Sequence, residues 1–168
     1  MEREKKYPIN GKGYCSLEKY ELYYESGEIE QEGYFSGQDL SGVWLEYHKN
    51  GKIRSIKNYN EGFIDGFWNL YDENGKLFIE MKIEMDKQIW SRQYRENGKL
   101  EKEVYYFKRR GFGKHGQRWE KFEYYKTGEL KRETQGEWGQ EKTYCKCWDI
   151  NGNEIECKEK NEFDNGLI

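Results

Sequence analysis

The sequence predicts an all-β protein, an elongated and twisted antiparallel sheet of about six β-hairpin repeats. Three observations predict it. First, the phrase Gly42-Val-Trp44-Leu-Glu-Tyr47-His-Lys-Asn-Gly51-Lys-Ile53 returns 24 residues later as Gly66-Phe-Trp68-Asn-Leu-Tyr71-Asp-Glu-Asn-Gly75-Lys-Leu77. Second, a turn glycine recurs at Gly27, Gly51, Gly75, Gly98, Gly128 and Gly152. An aromatic stands four residues before each of them, and an aliphatic follows two or three residues after. Third, the chain has no alanine and 19 glycines, but six Trp, 15 Tyr and eight Phe. Aromatics favour strands, and long helices lack their best former. Self-similarity at a period of 20 to 50 residues marks a solenoid or array.

The elements follow in order. Residues 1–13 form an N-terminal arm or cap, in which Tyr7-Pro8-Ile9-Asn10-Gly11 suits an edge strand. Residues 14–168 form a single repeat domain. Each unit reads as a hairpin about Asn50-Gly51, Asn74-Gly75, Asn97-Gly98 or Asn151-Gly152, with Ser26-Gly27 and Thr127-Gly128 as weaker versions. Asn-Gly tolerates the two positive φ angles of a type I′ turn. A second turn near Gly37 and Gly62 joins each hairpin to the next, leaving about 5 to 8 residues per strand. Consecutive hairpins then build a meander in which each unit contacts only its neighbours. Alternation places Val43, Leu45 and Tyr47 on one face and Trp44 on the other, and likewise Phe67, Asn69 and Tyr71 against Trp68. Trp90 stands four rather than three residues before Tyr94, so a bulge is expected there. The fifth interval is six residues longer, which makes Lys108 to Gly116 an inserted basic, glycine-rich loop. Residues 158–168 read as a C-terminal cap.

The iterated phrase Gly-x-Trp-x-x-Tyr-x-x-Asn-Gly-Lys-Leu resembles the bacterial variant of the MORN repeat, over Leu17 to Ile155. The resemblance implies a hairpin solenoid without an active site that holds a partner or a membrane surface. Many bacterial members carry antitoxin or immunity-type labels, so it also implies a toxin as the protein partner.

Charge narrows the function. The 29 basic and 32 acidic side chains nearly cancel, for a net charge of −3, whereas a general nucleic-acid binder carries a basic excess. No apolar run reaches the 18 residues a membrane helix needs. The charged start, Met1 to Lys6, precedes no apolar core and is not expected to be a secretory signal. A cytoplasmic location follows as the expectation.

The aromatic rows are the leading candidates for a site. Equivalent residues in stacked hairpins line up about 10 Å apart. Such rows are either core or the lining of a groove, where Tyr and Trp serve as anchors. Trp44, Trp68, Trp90, Tyr47, Tyr71 and Tyr94 are therefore the candidate partner-binding residues. Arg109 and Arg110 of the insertion join them, because paired arginines and glycine-exposed amides can hold phosphate or carboxylate. Cys145 and Cys147 share a strand face and Cys157 returns beside them. Three thiols fall short of the four ligands of a structural zinc site, and without a secretory signal free thiols are expected in preference to a disulfide from Cys157. His48 and His115 are the two histidines, and no nucleophile, phosphate-loop or metalloprotease motif accompanies them. No enzyme, metal or cofactor is expected. The reading is a protein-binding module. A membrane- or phosphoinositide-associated scaffold and a carbohydrate-binding protein are the alternatives.

Overall fold

The computed structural model describes residues 5–8, 14–108, 117–137 and 142–157. Thirteen strands lie in one antiparallel sheet in chain order. They are β1 (Lys5–Pro8), β2 (Tyr14–Tyr23), β3 (Ile29–Ser36), β4 (Asp39–Tyr47), β5 (Ile53–Asn60), β6 (Phe63–Tyr71), β7 (Leu77–Glu84), β8 (Lys87–Tyr94), β9 (Leu100–Lys108), β10 (Gln117–Tyr124), β11 (Leu130–Glu137), β12 (Lys142–Trp148) and β13 (Glu154–Ile155). The hairpin meander is as the repeat predicts. The C-terminal segment 158–168 and residues 109–116 of the insertion, Arg109 and Arg110 among them, lie outside the described residues.

One unit accounts for the 24-residue period. The nine residues of β4 are followed by a five-residue loop, the eight residues of β5 and a two-residue turn. The strands exceed the expected 5 to 8 residues because the second turn is only two residues long and the first strand of each hairpin absorbs a bulge.

The Asn-Gly loop differs from the expected type I′ turn. Among the described residues, the only non-glycines at positive φ are Glu61, Met85 and Asp86. Asn50 therefore keeps an ordinary φ, and Gly51 alone takes the left-handed conformation, at 78°. The Gly51 amide donates to the His48 carbonyl and the His48 amide to the Lys52 carbonyl, and the register slips by one residue at Tyr47. This is a type I turn closed by a glycine bulge. Asparagine serves through its side chain instead: Asn50 and Asn97 Oδ1 accept from the Lys52 and Lys99 amides at 3.0 Å. In two other loops Asp72 and Asp149 take that role. Pairs of positive φ angles, the mark of type I′, occur on the opposite edge of the sheet, at Glu61-Gly62 and Met85-Asp86.

The repeated phrase runs on to lysine for a reason visible in the contacts between units. Lys52 Nζ donates to the Asn74 carbonyl at 2.9 Å, Lys76 Nζ to that of Glu96, and Lys99 Nζ to that of Thr127 at 2.6 Å. Beside them, the Tyr24 and Tyr125 hydroxyls donate to the Tyr47 and Trp148 carbonyls, and Arg95 donates to that of Tyr124. Each loop is thus fastened to the loop of the following unit.

Register assigns the two faces. One row runs Tyr20, Gly33, Lys57, Trp68, Met81, Ser91, Val104, Lys121, Thr134 and Cys145, with Trp44 opposite Lys57. Buried Trp44, Ser55, Ile83, Thr134 and Cys147, together with Gly33 and Gly136, all belong to this face. With no second sheet among the described residues, these groups are buried by neighbours on their own side of the sheet, here called the inner face. Val43, Phe67, Phe78, Phe107 and Tyr144 stand exposed on the outer face.

Trp44 shows how a single layer makes a core. Its ring stacks on Tyr20 at 5.3 Å and meets Phe35 and Tyr59 edge-on. It lies across Gly33, where an added Cβ would come 2.1 Å from the ring. Trp119 covers Gly136 in the same way. Ser55, fully buried, accepts from Trp68 Nε1 at 3.0 Å. Gly33→Ala is expected to cost about 1–3 kcal/mol by overpacking, and Ser55→Ala about 1–3 kcal/mol by leaving the indole N–H unpaired. Urea titration followed by tryptophan fluorescence measures both losses.

Candidate interaction surface

The predicted site residues divide between the two faces. Trp44 and Trp68 lie on the inner face. Trp90 does not join them, because β8 accommodates only one extra residue, Ile89, between the pairs Ile83–Gln88 and Lys82–Trp90. In β4 and β6 the corresponding bulge is wider and contains Gly42 or Gly66, both at positive φ. Lacking that glycine, β8 carries its tryptophan one position away from the row. A shift of one residue turns a side chain to the other face. The expected irregularity at Trp90 is present, and it separates this tryptophan from the row it shares in sequence.

Three residues before each turn aromatic, the inner face therefore reads Tyr20, Trp44, Trp68, Ser91, Lys121 and Cys145. Its character changes along the molecule. The first half is aromatic: Tyr20, Phe35, Leu40 and Trp44 line a hollow of about 450 Å³. Lys57 Nζ sits 4.7 Å from the Trp68 ring centre and pairs with Glu46 at 2.6 Å. The second half is polar: Gln93, Lys102, Glu123 and Arg132 line a hollow of about 290 Å³.

On the outer face the turn tyrosines form a ladder with glutamates of the preceding hairpin. The Tyr47 hydroxyl donates to Glu32 at 2.6 Å, Tyr94 to Glu80 at 3.1 Å, and Tyr124 to Glu103 at 2.5 Å. Tyr71 has Ile56 at the equivalent place in the row and meets no carboxylate there. Burial, reinforced by Glu32, pushes the Tyr47 phenol up to about 12. The same two causes, with Glu80 and Glu103 as the carboxylates, raise Tyr94 and Tyr124.

Trp90 belongs to an outer patch that sequence reasoning assembled only in part. Phe67 meets Trp90 edge-on at 6.1 Å. Lys82 Nζ lies 5.1 Å from the Phe67 ring centre and the Arg92 guanidinium 4.8 Å from that of Trp90. Arg92 is in turn held by Glu103 at 3.3 Å and Tyr105 at 3.3 Å. Phe67 is 46% exposed. The alternation that set Phe67 opposite Trp68 was the available signal for it. Lys82 and Arg92 had none, since their role depends on cross-strand pairing.

The expectation of free thiols is corrected at two of the three cysteines. Cys147 and Cys157 form a disulfide with Cα atoms 5.3 Å apart, and Cys145 is free. The hairpin pairs Cys147 with Ile155, which brings the chain two residues later into bonding range. Among the described residues no nucleophile is served by an imidazole: His48 Nε2 lies 2.8 Å from the Tyr71 carbonyl.

A single-layer meander with shallow hollows and aromatic and charged ladders is the architecture of a hairpin-repeat array. The family model of the MORN repeat variant matches residues 19–36, 40–61 and 91–108, so these three segments are similar to MORN-type repeats. Such repeats are generally protein- or membrane-binding modules and not enzymes. The third match begins at Ser91, the residue that stands where Trp44 and Trp68 stand in their units, and leaves Trp90 outside. No curated protein matches the chain. Among the described residues no helix is long and apolar enough to cross a membrane.

The tyrosine ladder predicts an alkaline limit to stability. The unfolded chain ionises its phenols near pH 10, the ordinary tyrosine value, while the fold holds Tyr47 neutral to about 12. The contribution is complete below pH 10 and is lost as pH rises to about 12. Melting temperature followed from pH 8 to 12 is expected to fall through that window, and Tyr47→Phe to flatten part of the fall.

Proposed function

We propose that this chain is a non-enzymatic protein-binding module that works in the cytoplasm and grips its partner with the outer face around Phe67, Lys82, Trp90 and Arg92. The observation that carries the reading is the aromatic pair of exposed Phe67 and half-buried Trp90, with a cation stacked on each ring. Aromatic and arginine side chains dominate binding energy at protein interfaces, and open apolar patches mark such sites. The flanking Glu80, Glu103 and Arg92 add charges that set orientation and partner choice more than affinity. Trp44, by contrast, is only 8% exposed and is occupied with packing. The finer reading, supported by the antitoxin and immunity labels of similar bacterial repeats, is that the partner is a toxin which this module neutralises.

Affinity capture from a host extract with the wild-type chain and with Trp90→Ala, followed by titration against the partner purified, tests the proposal. Trp90→Ala is expected to weaken binding by about 2 kcal/mol, near thirtyfold, with little change in melting temperature. Trp44→Ala is expected to lose about 3–5 kcal/mol of stability, the cost of removing a buried ring. Wild-type affinity in Trp90→Ala rules out the outer patch. Flotation with anionic vesicles and no bound protein shifts the function to a membrane surface. If the purified partner is a toxin, an equimolar amount of the module abolishes its activity.

A further inference from the structure

The end of the sheet carries a cluster that protein binding does not use. Cys145 and Cys147 point to the inner face from β12, and Cys157 follows β13 across the Asp149–Asn153 loop. Their three sulfurs lie within 4.8 Å of one another. Cys145 Sγ is 2.8 Å from Cys157 Sγ and 4.0 Å from Cys147 Sγ. A third thiol adds nothing to a disulfide between the other two. Three thiols converging from two strands are what a soft metal ion requires.

We propose that, in the reduced protein, Cys145, Cys147 and Cys157 bind one thiophilic divalent ion of the zinc and cadmium class, and that the Cys147–Cys157 disulfide closes this site. Zinc–thiolate bonds of about 2.3 Å put ligand sulfurs roughly 3.8 Å apart. The Cys145–Cys147 separation of 4.0 Å already meets that spacing. Once the disulfide is reduced, Cys157, the last described residue beyond the two-residue strand β13, reaches it by moving about 2 Å. Three protein ligands leave one position for water, as in open zinc sites. Cys15 is not the fourth ligand: it lies on β2, ten strands away, or about 48 Å across the sheet.

The chemistry balances. A dithiol reductant gives two electrons to the Cys147–Cys157 bond, leaving two thiols and departing as its own disulfide. The ion then replaces the protons of three thiols, which pass to solvent. A reducing cytoplasm therefore favours the metal form and an oxidising compartment the disulfide.

The test uses the full chain, reduced with a dithiol and freed of it without air. Zinc chloride is added, unbound metal is removed by gel filtration, and metal and reactive thiols are counted. Trypsin cuts after Lys146, so Cys145 falls on one peptide while Cys147 and Cys157 share another, and alkylation at each is read separately by mass. The expected result is one zinc per chain, protection of Cys145, Cys147 and Cys157, free alkylation of Cys15, and a zinc-dependent rise in melting temperature. The disulfide form is expected to retain no zinc. Cys145→Ser and Cys157→Ser avoid the buried Cys147 and are each expected to weaken zinc binding at least tenfold, while Cys15→Ser leaves it unchanged. The proposal is overturned if reduced chain retains no zinc while all three cysteines alkylate freely, or if either triad variant binds as tightly as the wild type.

Discussion

Everything in the described fold depends on a sheet that, among the described residues, has only itself to pack against. One layer of thirteen strands buries few residues completely, and those it buries all face the same way. Packing of this kind needs places where a large ring can lie flat on backbone. Gly33 beneath Trp44 and Gly136 beneath Trp119 are such places. Glycine weakens a strand taken alone, yet here it admits the ring contacts that replace a second layer. The aromatic excess in the composition is the same fact seen from the sequence, since a ring covers more apolar area per residue than any aliphatic side chain.

Polar contacts do the remaining work along the edges. At the Asn-Gly edge, lysine, tyrosine and arginine side chains reach carbonyls of the following unit. At the other edge the Gly62 amide donates to the Leu40 carbonyl and the Asp86 amide to that of Ile64. Loop backbone that a globular protein would leave to water is thereby tied to its neighbour. Isolated exposed ion pairs contribute little, but these bonds end on backbone carbonyls whose positions the sheet already fixes.

The repeat was legible because the loops impose it. Gly51 and its counterparts need positive φ, and an aromatic four residues earlier meets the same geometry each time, so spacing alone delivered the hairpins and their order. The two faces were legible where the Gly42 or Gly66 bulge is present, as for Val43 against Trp44. They were not legible at Trp90, where one residue of offset reverses the side and leaves no trace in composition. The turn type was misjudged for a related reason: Asn50 is there for its side-chain oxygen, and a residue chosen as an acceptor looks in sequence like one chosen for its backbone freedom. The outer patch escaped because Lys82 and Arg92 acquire meaning only from rings on adjacent strands. The Cys147–Cys157 link was open in sequence, since a register two residues different would have favoured Cys145.

The side chain that anchors a loop to the one after it, lysine in three loops and tyrosine at Tyr24 and Tyr125, gives the assembly a polarity. Every unit holds a hook for its successor and offers a carbonyl to its predecessor, so no unit depends on its absolute place in the series. Copying or excising a whole 24-residue period leaves hooks and eyes matched, whereas a cut out of phase breaks two junctions at once. Length is therefore the property that such a chain can change most freely over evolutionary time, and its outer face grows or shrinks by whole periods.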